Sequence, residues 1–320
     1  MSLSSRIVFM GTPDFAVPSL DALVDAGLAP VAVVTVPDKP AGRGQRVRAS
    51  AVKQAAERHG LPVLQPASLR DAAFQDALAA LRPDILAVVA FRILPPEVYE
   101  TARLGAFNLH GSLLPAYRGA APIQRAIMDG VAETGVTTFF LRQTVDTGDV
   151  ILRRAVPVGP DDTGGDIHDA LARVGAEAVV ETVRRIAEGR AEALPQDDAL
   201  ASPAPKIFRE HGEIDWSRSA ADVHDHVRAL SPVPGAWTTW APDGDAEALK
   251  ILRTRRLDGE GAPSAAAGRV IEADRRLVVA CGEGAVEVVE VQRTGKRRMD
   301  AAAFLNGVEL AGVTLGGHEM

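Results

Sequence analysis

Only one cysteine, Cys281, occurs in 320 residues. That excludes a disulfide framework, a thiolate zinc site and a Cys-x-x-Cys redox pair. The scarcity fits a reducing compartment. Positive charge is also in short supply: 35 Lys and Arg stand against 42 Asp and Glu, a net charge of −7. This balance argues against a protein that coats nucleic acid wholesale, while leaving room for local basic patches that steer a polyanion. No apolar run approaches the roughly 20 residues needed to span a bilayer. The first strand-like run, "RIVFMG", begins at Arg6 and leaves no room for a signal or transit peptide before it. The expectation is a soluble, cytoplasmic protein without a membrane partner. Internal repeats are absent. After the first strand stands "GTPDF" rather than G-x-G-x-x-G, so a dinucleotide-binding reading is weak.

Nearly half the residues are apolar, and the length suits two domains, each with its own core. The first half alternates apolar strands with amphipathic helices. Strands are expected at 6–11, 31–36, 62–66, 84–90 and 105–110, with helices ending near Ala26 and His59 and another over 71–81. "VAVVTV" is continuous and β-branched, as a strand buried on both faces should be. The rhythm implies an α/β fold with a Rossmann-like, doubly wound and mostly parallel sheet. "GVTTFFLR" (135–142) and "VILRRAVPV" (150–158) read as a strand pair, and a long helix follows from Gly165 to Arg190. Residues 191–206, Ala/Pro/Asp-rich and aperiodic, read as a linker. Beyond it, a helix near 219–230 and several closely spaced β-rich runs suggest a small OB-like β-barrel. The expected division is therefore 1–190, a linker at 191–206, and 207–320.

In an open parallel sheet, ligands bind beyond the carboxyl ends of the strands. Three segments with chemistry fall there: "GTPD", "FRILP" and "NLHGSLLP". Asn108 and His110 are two apart on a strand, so they share one face. A lone His is more often a hydrogen-bonded core residue, but a neighbouring amide on the same face changes that balance. An Asn donates without charge, and a His donates when protonated and accepts when neutral. Together they suit binding an oxyanion and moving a proton. Asp146, in "TVDTGD", is either a third member or a turn former. Asp149, after Gly148, fits the turn role better. Spacing alone leaves both open. His224 and His226, two apart on a helix, diverge, so a solvated face is expected there rather than a metal site.

Taken together, "FMGTPDFAVPSL", "PDKPAGRG", "NLHGSLLPAYRGAAPIQ", "ETGVT", "DTGDV", "APK", "IDWS" and "GKRRM" resemble the methionyl-tRNA formyltransferase family along almost the whole chain. The Asn-x-His, Ser-Leu-Leu-Pro and Asp-Thr-Gly-Asp set belongs to the wider folate formyltransferase superfamily. "PDKPAGRG", "GAAPIQ" and "GKRRM" point to its tRNA branch. The resemblance implies formyl transfer from 10-formyltetrahydrofolate to the amine of initiator methionyl-tRNA, without a metal, by a monomer. It makes Asn108, His110 and Asp146 the catalytic group. Asn108 and protonated His110 would stabilise the oxyanion, while Asp146 would orient His110 and assist proton transfer.

The same resemblance assigns the folate pocket to Phe91, Arg92, Ile93 and Leu94 and to Ser112, Leu113, Leu114 and Pro115. It assigns tRNA contacts to Lys39, Arg43 and Arg46 in the 37–48 loop, where Arg43 matches the functional arginine, and the C-terminal domain adds Lys296 and Arg297. One departure stands out. The family usually carries Tyr-Gly where this chain has Phe91-Arg92. Arg92 is therefore either strained at a positive φ, with a reshaped pocket in which it reaches toward the folate glutamates, or simply solvated. The competing activity is transfer of formyl to another acceptor, an amino-sugar nucleotide or water. A non-catalytic folate- or tRNA-binding protein would not need the Asn-His-Asp set.

Overall fold

The computed structural model describes residues 5–41, 46–241, 245–257 and 265–316. They form two compact units. The first comprises 1–122, 133–157 and 168–204. The second comprises 123–132, 158–167 and 205–320.

The first unit is built on a seven-stranded sheet. Its strands are β1 (Ile7–Gly11), β2 (Ala32–Val34), β3 (Val63–Leu64), β4 (Ile85–Val89), β5 (Gly105–His110), β6 (Glu133–Phe140) and β7 (Val150–Pro157). Their spatial order is β7-β6-β5-β4-β1-β2-β3. Strands β1 to β5 pair in parallel, and β6 and β7 close one edge antiparallel. The doubly wound, mostly parallel architecture read from the sequence is thus present. The strand order reverses between β1 and β4, which puts the loops after these two strands at the topological switch point. All five residues of β1 and of β4 are buried. Val8, Met10, Val34, Leu86 and Val88 pack with Phe74 and Leu78 of helix α3, which takes its place after α1 (Val17–Asp25) and α2 (Ala51–Arg58) and spans Ala72–Ala80. Burying each large side chain there contributes about 1.5–3 kcal/mol.

Local chemistry sets the helix starts. Ser50 accepts from the N–H of Lys53 to cap α2, and Asp71 accepts from that of Ala73 to cap α3. The long helix Gly164–Ala187 begins with a reciprocal cap. Thr163 donates through N–H and hydroxyl to Asp166, and the Asp166 N–H returns a bond to the Thr163 hydroxyl. These bonds hold the Asp166 carboxyl below the usual range.

Two segments read as irregular are ordered by pairing. Lys39–Ala41 and Arg46–Arg48 form an antiparallel ribbon, with Lys39 opposite Arg48. At its base Asp38 bonds Lys53 Nζ and Gln65 Nε2. Arg43 and the rest of 42–45 lie outside the described residues, as does the Arg46 side chain. Within 191–206, Leu194 exchanges both backbone bonds with Val150, and Pro203–Ala204 pair in parallel with Arg118–Gly119. Composition gave no sign of the pairing within 191–206, because pairing with distant strands leaves no local period.

The second unit carries an antiparallel sheet: β8 (Ala236–Trp240), β9 (Glu247–Leu257), β10 (Val270–Ala273), β11 (Leu277–Ala280) and β12 (Ala285–Arg293), in the order β8-β9-β12-β11-β10, with Met299–Asp300 on β12. Trp216, Trp240, Ile251, Val286 and Phe304 fill its core with Val223, Val227 and Leu230 of the helix Ala220–Leu230. Cys281 is free and buried there, and burial pushes its thiol up to about 12.

His224 and His226 do not form the solvated face expected of them. His224 is 5% exposed. Its Nε2–H donates to the Pro160 carbonyl and its Nδ1 faces the Thr254 hydroxyl. Arg228, equally buried, donates to the carbonyls of Gly159 and Asp162. These two side chains explain why 158–167 belongs to this unit. An aperiodic loop with carbonyls to satisfy draws polar residues onto a buried helix face. His226 Nε2 is buried without a partner among the described residues. Burial lowers its pKa, partly opposed by the Gly212 carbonyl, with Arg218 and Arg125 adding to the depression.

The unfolded chain binds a proton at His226 near pH 6.5, whereas the folded chain resists it, so this residue's contribution to stability is complete above pH ~6.5 and lost as pH falls below it. Urea denaturation of wild type and His226→Gln between pH 5 and 8 should show a shallower acid-side decline in the variant. Superimposable declines would remove His226 from the pH response.

Candidate active site

β5 delivers Asn108 and His110 to the carboxyl end of the sheet. Asn108 lies between Val88 of β4 and Phe139 of β6, and His110 lies opposite Thr137. Asn108 is half-buried, and its carboxamide has no protein partner among the described residues. His110 is 6% exposed. Its Nε2 lies 2.8 Å from the Tyr117 carbonyl. A carbonyl only accepts, so Nε2 carries the proton and Nδ1 is left for chemistry. Nδ1 faces Asp146 Oδ2 at 3.8 Å.

Asp146 itself is 8% exposed and adopts φ 57°, a left-handed conformation that a non-glycine residue takes only when its surroundings hold it. Its carboxylate accepts the Gly119 N–H at 3.0 Å. The residue that spacing could not place is therefore beside His110, and the link runs through the backbone of 117–119. Tyr117 also has positive φ, 60°. Gly119 has φ 131°, and a Cβ there would lie 2.5 Å from the Ala204 carbonyl oxygen. Only glycine fits that crossing.

The turn between His110 and Tyr117 is held by residues the sequence did not flag. The Thr137 hydroxyl donates to the Ser112 carbonyl and accepts the Leu114 N–H. Arg153 Nε donates to the Leu114 carbonyl, and the Ser112 hydroxyl donates to that of Ala116 at 2.6 Å. Ser112 and Leu114 are buried, while Leu113 and Pro115 are half-buried. Thr137 reads in sequence as an ordinary β-branched strand residue. Its bridging role carries no local signal.

After β4 the chain leaves through Ala90, whose φ is 46°. Arg92 is neither strained nor solvated. Its φ is not positive, so the strain falls two residues earlier. Its guanidinium donates to the carbonyls of Pro66 and Ala67, at 3.0 and 3.1 Å, and lies 5.2 Å from the centre of the Phe91 ring. Burial lowers its pKa. Leu94 packs into the core with Phe91, while Ile93 is 75% exposed, an unusual position for an isoleucine beside a sheet's ligand-binding edge.

A cavity of about 440 Å³ opens at the ends of β1 and β2, lined by Thr12, Lys39, Arg48, Ser50 and Gln54 among others. A larger one of about 940 Å³, lined by Asp25, Glu177, Arg184 and Arg190, shares no residue with it. Neither cavity is lined by Asn108, His110 or Asp146. In the second unit, Lys296 and Arg297 are exposed after β12, whereas Arg293 pairs with Glu247 and Arg298 with Glu290.

Residues 5–183 match the formyl transferase model and 206–309 that of the formyl transferase C-terminal domain. The chain belongs to the formyl transferase family. It is 50% identical to the methionyl-tRNA formyltransferase of Chlorobium luteolum, covering 94% of this chain and 96% of the relative. It is 45% identical to that of Porphyromonas gingivalis, covering 96% of both. Among solved structures, an N-formyltransferase from Helicobacter canadensis, on complex with folinic acid and dTDP-3-aminofucose, shares the fold at TM-score 0.68 and 18% identity, over 89% of this chain and 98% of that one. HypX from Aquifex aeolicus, in complex with tetrahydrofolic acid, matches at TM-score 0.63 and 18% identity, over 94% of this chain and 46% of that one.

The observed bonds of Arg92 define its variant. Arg92→Ala should lower unfolding free energy by about 1–2 kcal/mol through loss of two charge-assisted bonds, measured by urea titration, and leave kcat of this transferase nearly unchanged. Unaltered stability would mean the guanidinium bonds contribute nothing.

Proposed function

We propose that this formyl transferase moves the formyl group of 10-formyltetrahydrofolate to the free amino group of initiator methionyl-tRNA, the step that prepares it for translation initiation. The observation that carries the reading is 45–50% identity to methionyl-tRNA formyltransferases over at least 94% of this chain, spanning both units. The solved structures with a sugar or a free folate as ligand are far more distant. No helix among the described residues is long and apolar enough to cross a membrane.

In this reading the first unit performs the chemistry, and Lys39, Arg43 and Arg46 of the 37–48 stretch, together with Lys296 and Arg297 of the second unit, hold the tRNA. The catalytic domain, expected over 1–190, is then the first unit, which also takes in 191–204, and the tRNA-binding domain, expected over 207–320, is the second, which also takes in 123–132 and 158–167. Phe91, Arg92, Ile93 and Leu94 with Ser112, Leu113, Leu114 and Pro115 wall the folate. The exposed Ile93 supports this, since it offers an apolar surface for a flat ring. The folate supplies the formyl carbon as an amide of its own nitrogen. As the methionyl amine adds to that carbon, charge gathers on the formyl oxygen. Asn108, whose amide has no other partner among the described residues, donates to it without bringing charge, and His110 donates from protonated Nδ1. Asp146, 3.8 Å from Nδ1, orients the ring and assists removal of the amine's proton. The departing folate nitrogen takes a proton as its bond to carbon breaks, so one proton is lost from one nitrogen and regained by the other.

Incubation with 10-formyltetrahydrofolate and, separately, charged initiator tRNA, charged elongator tRNA, an amino-sugar nucleotide or no acceptor should give formylated initiator methionyl-tRNA well above the other arms. Turnover with the sugar nucleotide or water alone would overturn the assignment. Asn108→Ala should reduce kcat on the order of a hundredfold, as loss of an oxyanion donor does, with folate affinity nearly unchanged in a direct binding titration. Near-normal turnover would take Asn108 out of the mechanism.

A further inference from the structure

Gln196 lies in the stretch that composition reads as a linker, nine residues past the end of the long helix at Ala187. Nothing in its sequence context marks it. In the structure its side chain is saturated. The amide NH2 donates to the carbonyls of Asp146 and Gly148, at 2.9 and 2.8 Å. The amide oxygen accepts from Nε and a terminal nitrogen of Arg118, at 3.1 and 2.8 Å. Carbonyls only accept and a guanidinium only donates, so the amide has one possible orientation. Four bonds on one amide leave it no freedom to rotate.

Both ends of this bridge lead to the His110–Asp146 pair. At one end the amide grips the backbone of Asp146 and of Gly148 two residues on, where φ of 57° at Asp146 needs an external hold. At the other, Arg118 sits between Tyr117, whose carbonyl takes His110 Nε2–H, and Gly119, whose N–H takes the Asp146 carboxylate. The same stretch continues the grip. Ser202 accepts the N–H groups of Tyr117 and Arg118 through its hydroxyl and carbonyl, and Ala204 accepts that of Ala121. Asp198 adds a carboxylate to Arg118 at 2.7 Å. Residues 196–204 thus tie the loop that carries Asp146 to the 117–119 segment that bonds both members of the pair.

We propose that Gln196 is a positioning residue for the formyl transfer, fixing the Asp146 loop against the 117–119 segment and so setting the separation of Asp146 from His110. The proposal rests on the reading of Asp146 as a participant in proton transfer. Gln196 touches no reacting atom. Its loss acts through geometry, which governs the rate once substrates are bound rather than their binding.

The test is a double-mutant cycle in the full-length chain, with kcat and both KM values measured for 10-formyltetrahydrofolate and charged initiator tRNA. Gln196→Met keeps the length and removes all four bonds. It should lower kcat on the order of tenfold to a hundredfold, with both KM values close to wild type. Asp146→Asn should itself lower kcat, and adding Gln196→Met to it should produce little further loss, because the group being positioned is already disabled. A residue with only a structural role would lower the rate by the same factor in both backgrounds, and that result would overturn the proposal. So would wild-type kcat in Gln196→Met. If the methionine variant fails to fold, Gln196→Glu keeps the shape and strengthens the Arg118 pairing, yet its carboxylate cannot donate to the two carbonyls. It too should lose kcat selectively, and wild-type kcat there would refute the role. Full activity of Asp146→Asn alone is a separate outcome. It would sink the reading of Asp146 and this proposal with it, whereas equal Gln196 effects in both backgrounds would sink only the latter.

Discussion

His110 commits its Nε2 proton to the carbonyl of Tyr117, and the rest of the strand-end architecture follows from that bond. An imidazole with one nitrogen pinned has a single nitrogen left, and its direction is set by the ring plane. Asp146 must then be brought to Nδ1, and the Gly119 N–H brings it. For one short stretch to offer a carbonyl at 117 to the histidine and an N–H at 119 to the aspartate, the backbone has to bend through positive φ at both residues. Glycine takes such a conformation freely, whereas tyrosine pays strain that neighbouring bonds must offset. The Ser202 and Ala204 contacts supply those bonds.

A shared device recurs in both units. Where a loop crosses buried surroundings, a polar side chain from a regular element satisfies its backbone groups. Thr137 on β6 and Arg153 on β7 do this for the turn at Ser112 and Leu114. His224 and Arg228 do it for 159–162. A backbone group left unpaired costs more than a hydrogen bond gains, so these residues are required by the irregularity they serve. The consequence for the site is selective. Backbone groups already bonded within the protein are poorly placed to recognise a ligand, and those left open at the strand ends define what can be recognised.

Arg92 shows how a departure from family pattern is absorbed. The strained conformation sits at Ala90, and the long side chain turns back onto the carbonyls of 66–67 and the face of Phe91. The guanidinium is thereby drawn into the protein, which leaves Ile93 as the exposed apolar residue of the segment.

The mostly parallel, doubly wound sheet and the shared face of Asn108 and His110 were determined by the sequence itself. Apolar runs of strand length, alternating with helix periods, admit few topologies, and a spacing of two on a strand has one geometric meaning. Asn-x-His before a Ser-Leu-Leu-Pro turn is likewise a pattern of adjacent residues, legible without the fold. Tertiary structure alone decided the rest. Asp146 lies 36 positions from His110, and their approach is mediated by a third segment that neither adjoins. Thr137 bonds backbone atoms, and Gln196 bonds two backbone carbonyls and the distant Arg118 side chain, contacts that leave no trace in residue type or period. His224 and His226 were misplaced for a related reason: helical spacing says which way side chains diverge, but not whether a separate loop, 158–167, comes to cover one of them. Contacts made by distant backbone carry no local pattern, so only the folded chain reveals them.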